Sequence, residues 1–159
     1  MRPPFHHDVA LLFRRLAAAV LIGLAAALIF TPAVAGTDGI ITPQAALNRA
    51  TQGELTIIDI RRPDEWRDTG LPAGAARATV NFSRGGSDFL ARMRKVTGGD
   101  KDAPIALICA AGVRSRHAAA LLRNRGYRNV LDISEGMLGN ARGPGWLQRQ
   151  LPTEPCSEC

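Results

Sequence analysis

Aromatic side chains are scarce in this chain: of 159 residues, five are Phe, two are Trp and one is Tyr. Nucleic-acid surfaces interleave cations with aromatic platforms, so a net charge of +6 without such platforms points to no nucleic-acid partner. The charge is also diluted. Arg2, Arg14, Arg15 and Asp8 lie in the first 35 residues, and the remainder holds 17 basic and 13 acidic residues, its arginines spread along the chain. Histidine is as scarce, and beyond residue 35 only His117 remains. A closed zinc site takes four ligands, so no metal is expected, and nothing in the pattern calls for a cofactor. No internal repeat is visible. One long uncharged run exists, Leu16 to Phe30, and it is shorter than the roughly 20 residues that a spanning helix requires.

That run sits in a recognisable setting. Arg2, Arg14 and Arg15 precede it, and "TPAVA" follows, with Ala33 and Ala35 at the small-residue positions that a signal peptidase reads. Residues 1–35 are therefore expected to be a signal peptide cleaved before Gly36, with an uncleaved membrane anchor as the alternative and the only membrane contact. The flanks of Arg14-Arg15 carry little else of a twin-arginine signal, so the general secretory route is expected. Either way the remainder is periplasmic or secreted, in an oxidising compartment.

Beyond Ala35 strand-like and helix-like pieces alternate. Thr42 and Pro43 have the types that open a helix, and Gly53 the type that closes one. "LTIIDI" (55–60) is a continuous apolar, β-branched run, as in a strand buried on both faces. "PDEW" makes a short helical turn, "ARATVN" (76–81) a second short strand, and "SDFLARMRKV" an amphipathic helix with Phe89, Leu90, Met93 and Val96 on one face. "PIALIC" is the next buried strand, a helix follows from near Ser115 to Gly126, and "NVLDI" is the last strand. Such an order predicts one α/β domain over residues 36–147, with a mainly parallel sheet and helices on both faces. Residues 148–159, rich in proline and ending "CSEC", read as a flexible tail.

Reactive sites in parallel sheets lie beyond the carboxyl ends of the strands, and Cys109 stands at such an end. The following loop, Ala110, Ala111, Gly112, Val113, Arg114 and Ser115, is small enough to turn tightly and aim successive N–H groups at the sulfur. The start of the next helix and the charge of Arg114 both favour thiolate over thiol, so Arg114 and the loop are the expected anion-binding elements. Cysteine phosphatases need Arg at the sixth position after the cysteine. Here Ser115 occupies it, Arg114 comes one residue early, and Ile108 stands where those enzymes place His.

"CAAGVRS" matches a Cys-x-x-Gly-x-Arg-Ser loop, "IIDIRRPDEW" an Asp-x-Arg-x-x-x-Glu-Trp stretch, and "TGLPAGA" a "GHIPGA" region. With these motifs the chain resembles the rhodanese family of sulfurtransferases, from about Ile40 to Trp146. The resemblance implies a five-stranded parallel sheet and ping-pong transfer, in which Cys109 takes sulfane sulfur from thiosulfate or a persulfide and passes it to a thiol or cyanide. The alternative is a sulfur-carrier or redox-interaction module that serves a protein partner without turnover. Asp59, Arg61 and Glu65 are expected to brace the loop, with Arg61 and Glu65 as an ion pair, and Arg116 to attract an anionic donor. Two departures stand out: Thr69-Gly70-Leu71 replaces Gly-His-Ile, and Glu135-Gly136 replaces paired glycines. Cys156 and Cys159 form a C-x-x-C pair with two readings, a default local disulfide or a redox pair that relays sulfur from Cys109 or meets a redox protein.

Overall fold

The computed structural model describes residues 39–84 and 86–159, so the expected signal segment, residues 1–35, lies outside the described residues. Four parallel strands form the sheet in the order β3-β1-β4-β5: β1 is Thr56–Asp59, β3 Ala76–Arg77, β4 Ile105–Ile108 and β5 Val130–Asp132. A fifth position at the β5 edge shrinks to one parallel bridge, Ile40 to Asp132. The reason is local. Thr42 caps the first helix, its Oγ1 accepting from the Ala45 N–H at 3.3 Å, so the chain turns away two residues past the bridge.

Helices cover both faces. On one side lie α1 (Pro43–Thr51) and, further on, α5 (Gly145–Gln148), whose Ala46 and Trp146 pack on Ile57, Ala106 and Ile108. On the other lie α3 (Ser87–Val96) and α4 (Val113–Asn124), whose Phe89, Met93, Ala118 and Leu122 pack on Ile58, Ile105 and Leu107. Strand residues alternate between the two clusters, which is why β1 and β4 are apolar without a polar face. Each fully buried Ile or Leu contributes about 1.5–3 kcal/mol, so these short strands hold the layers by packing more than by ladder length. Between β1 and β3 run α2 (Pro63–Thr69) and β2 (Leu71–Pro72).

Two expectations need correction. Helix α4 starts at Val113, not near Ser115, because Gly112 adopts φ 78° as its N-cap, which places Arg114 and Ser115 inside the first turn. The tail, expected to be loose, is docked. Thr153–Glu154 form β6 and pair antiparallel with β2, the Pro152 carbonyl accepts from Ala73 N–H and from the Trp146 indole, and Leu151 packs against the α1/α5 cluster. Main-chain pairing outweighs the mobility that two prolines suggest, since neither Pro152 nor Pro155 occupies a paired β6 position. No helix among the described residues is long and apolar enough to cross a membrane.

Candidate active site

Cys109 follows the last residue of β4 and is 1% exposed. Its sulfur meets two groups of one residue: the Ser115 N–H donates to Sγ at 3.4 Å, and the Ser115 Oγ lies 3.5 Å away. Ser115 is the third residue of α4, so its N–H is one of those that a helix leaves without an internal partner. The sulfur thus sits at the positive end of a twelve-residue helix.

A second segment fixes the loop from behind. Carbonyls of Cys109, Ala110 and Ala111 accept from Met137 N–H, Leu138 N–H and the Asn140 side-chain amide at 2.9, 2.9 and 3.0 Å. These bonds hold the loop carbonyls in place, and the Ser115 N–H is the loop amide that meets the sulfur. Glycine makes this approach possible at two places. A Cβ on Gly112 would stand 1.9 Å from the Ser134 carbonyl oxygen, and one on Gly136 2.5 Å from that of Ala110.

The four supporting residues are not paired as expected. Asp59 and Arg61 bind each other, both buried, with guanidinium-to-carboxylate distances down to 2.6 Å. Arg61 also donates to Thr69 Oγ1 and to the carbonyls of Glu65 and Gly70. Arg61 therefore ties the end of β1 to α2, and Thr69-Gly70, the departure from Gly-His, supplies two of its acceptors. Glu65 pairs instead with Arg114, whose two terminal nitrogens meet the two carboxylate oxygens at 2.8 and 2.5 Å. The Arg114 fork is committed to Glu65 rather than turned freely into the loop. The Glu65 hydrogen bond raises the Arg114 pKa, burial opposes this, and the charges of Glu65 and Cys109 favour the guanidinium further. Burial works to raise Glu65, but the contacts to Arg114 and Arg62 outweigh it and hold its carboxyl below the usual range. Arg116 is exposed and lines a surface hollow with Arg142 and Asn140, while His117 meets Phe82 edge to face at 6.2 Å. Beside Arg114 opens a cleft of about 450 Å³ bounded by Arg62, Thr79, Asn81 and Phe82.

Sequence reasoning missed Asp132. It is buried at the end of β5, with Oδ1 left without a partner. Burial pushes its carboxyl above the usual range, against the neighbouring Ser115 and the charges of Arg116, Arg123 and Arg142. The available signal was its position, an acid closing a buried strand as Asp59 does. Asn140, which clamps the loop, carried no such signal. Cys156 and Cys159 are joined as a disulfide beside Arg77. The tail that carries them packs with the α1/α5 cluster while Cys109 belongs to the α3/α4 cluster, so the expected relay gains no support from their placement.

The lone free cysteine among the described residues thus stands at a parallel strand's carboxyl end, under a helix terminus, in an α/β protein. The rhodanese-like domain family model matches residues 42–140. The chain belongs to that family. Thiosulfate sulfurtransferase GlpE of Haemophilus influenzae is 35% identical over 115 residues, 72% of this chain and 92% of that protein. Two solved structures share the fold. The rhodanese-like domain of an Anabaena protein has a TM-score of 0.59 at 21% identity, covering 77% of this chain and 85% of that one. The polysulfide-sulfur transferase of Wolinella succinogenes has a TM-score of 0.57 at 23% identity, covering 75% and 80%.

Proposed function

We propose that this protein is an exported sulfurtransferase that moves sulfane sulfur from thiosulfate or a persulfide to a thiol or cyanide. The observation that carries the reading is the Cys109 sulfur under the first turn of α4, with Ser115 N–H and Oγ upon it. The Cys109 thiolate attacks the outer sulfur of thiosulfate, a new S–S bond forms, and sulfite departs with the electron pair of the old one. The persulfide anion then lies one bond further from the strand, facing the unpaired amides of the loop. Cyanide or a thiolate attacks that outer sulfur, takes it, and returns the electron pair to Cys109. Arg114, held by Glu65, adds positive charge without blocking the sulfur.

Support for export comes from the signal-like residues 1–35 and from the Cys156–Cys159 disulfide, a bond that persists in oxidising compartments. A second reading, delivery of the sulfur to a protein acceptor, is favoured by the exposure of Val113 and Leu138 at the loop. Intact mass after incubation with thiosulfate tests the main reading: one cyanide-labile sulfur atom should be added, and Cys109→Ser should abolish it. Sulfur retained by that variant would remove Cys109 from the chemistry. Turnover that saturates with thiosulfate and cyanide supports the enzyme, and loading without turnover supports the carrier.

A further inference from the structure

The sulfur-transfer reading leaves the disulfide at the end of the chain without a task. Cys156 and Cys159 are both partly exposed, and Cys156 borders a cavity of about 240 Å³ with Arg77, Glu154, Ser157 and Glu158. One Arg77 terminal nitrogen lies 3.3 Å from Cys156 Sγ and 3.7 Å from Cys159 Sγ. Arg77 reaches the disulfide from strand β3 of the central sheet. The segment before the cysteines is fixed by β6 on β2, and Arg67 donates to the Cys159 carbonyl. The pair is therefore presented in one place rather than carried on a free tail.

Two physical features make this bond exchangeable. It closes a loop with only two intervening residues, and the stabilisation from loop closure grows with loop length, so reduction removes little from the fold. A guanidinium beside a sulfur stabilises the thiolate that reduction releases, and a stabilised reduced form makes a disulfide a better oxidant. Glu154 and Glu158 oppose this from the cavity rim, but Arg77 alone touches both sulfurs.

We propose that Cys156–Cys159 is a second redox centre, independent of Cys109, that exchanges its disulfide with a dithiol reductant while Arg77 holds the thiolate released at Cys156. The reductant's first thiolate bonds to Cys159 Sγ, and the Cys156–Cys159 bond breaks with its electron pair passing to Cys156. The reductant's second thiolate then attacks its own sulfur in the mixed disulfide and frees Cys159. The protein gains two electrons and, with Cys156 held as the thiolate, one proton at Cys159; the dithiol leaves as a disulfide and its other proton passes to solvent.

The test equilibrates the full chain with dithiothreitol mixtures, traps thiols by alkylation and reads the reduced fraction by mass. Arg77→Gln should lower the equilibrium constant for reduction by about threefold or more, and should slow alkylation of reduced Cys156 near neutral pH. Arg77→Lys should recover part of both. The reduced wild type should still unfold cooperatively. An unchanged constant in Arg77→Gln would overturn the proposal, as would loss of the cooperative transition on reduction, which would make the bond a structural staple. Cys156→Ser with Cys159→Ser should leave thiosulfate loading of Cys109 unchanged, so failure of the sulfur-transfer reading is scored separately.

Discussion

At the scale of single residues, the site turns on Ser115, whose N–H and Oγ both meet the Cys109 sulfur. Ser115→Ala removes the hydroxyl but keeps the N–H, so persulfide formation should slow by about tenfold, the effect of a neutral hydrogen bond of about 0.5–1.5 kcal/mol near its upper end. Stopped-flow thiosulfate loading measures it, and an unchanged rate would leave the contact to the backbone alone. Asp132 bears on stability. Its folded pKa is raised above the unfolded one, so the folded state holds the proton more tightly and stability falls as pH rises from the ordinary carboxylate range through the raised value. Asp132→Asn should flatten that fall, visible in denaturant midpoints across the pH series. Glu65 has the opposite sign. Its lowered pKa contributes stability that is full above the unfolded value and is lost as pH falls through the folded one. Glu65→Gln should remove that acid-side loss and release the Arg114 fork, and a pH series on this variant that still matched wild type would sever the pair from the titration. The places of Cys109 at a strand end and of Arg114 in the loop after it were legible from residue type and spacing, whereas Glu65 was expected on Arg61 and meets Arg114 instead. Asp132 was not, because its role depends on which strand ends adjoin.

Elements bring these residues together, and the decisive contact is between two turns. The loop after β4 and the turn 134–140 approach so closely that Gly112 and Gly136 leave no room for a Cβ, and both have positive φ. Gly112→Ala should therefore destabilise by more than the ~1 kcal/mol that positive φ alone imposes on Ala, since the Ser134 carbonyl must also move away. Thermal melts and thiosulfate loading should fall together, and a variant that melts lower yet loads normally would show that the loop recovers its shape. The strands and helices were legible because their patterns are strong: Ile57-Ile58 for a doubly buried strand, and Phe89 with Met93 for the face of α3. The early start of α4 was not, since the left-handed cap at Gly112 is imposed by the neighbouring turn. Glu135 is a similar case. In place of a glycine it is buried, accepts from Gly145 N–H at 3.0 Å, and binds Arg149 at 2.9 Å, joining the turn behind the active loop to the start of the tail.

At the scale of the whole described domain, the central sheet carries a separate apolar cluster on each side, and the tail packs through Leu151 with the one that lacks Cys109. Proline content suggested a free end, yet Trp146 is fully buried, its indole donates to the Pro152 carbonyl, and β6 completes a two-stranded sheet with Leu71–Pro72. Leu71 is buried too. Ending the chain after Leu151 would break the Pro152 and β6 hydrogen bonds and bare part of that surface. A net hydrogen bond is worth about 0.5–1.5 kcal/mol, and about 1 kcal/mol moves the midpoint of a domain near this size by roughly 2–8 °C. The truncated protein should therefore melt several degrees lower while still unfolding cooperatively. Its loading by thiosulfate should be unaltered, because among the described residues no hydrogen bond joins residues 152–159 to Cys109 or to the loop 110–115. Loading that fell in step with the truncation, at a temperature where the protein stays folded, would instead tie the tail to the sulfur site across the sheet.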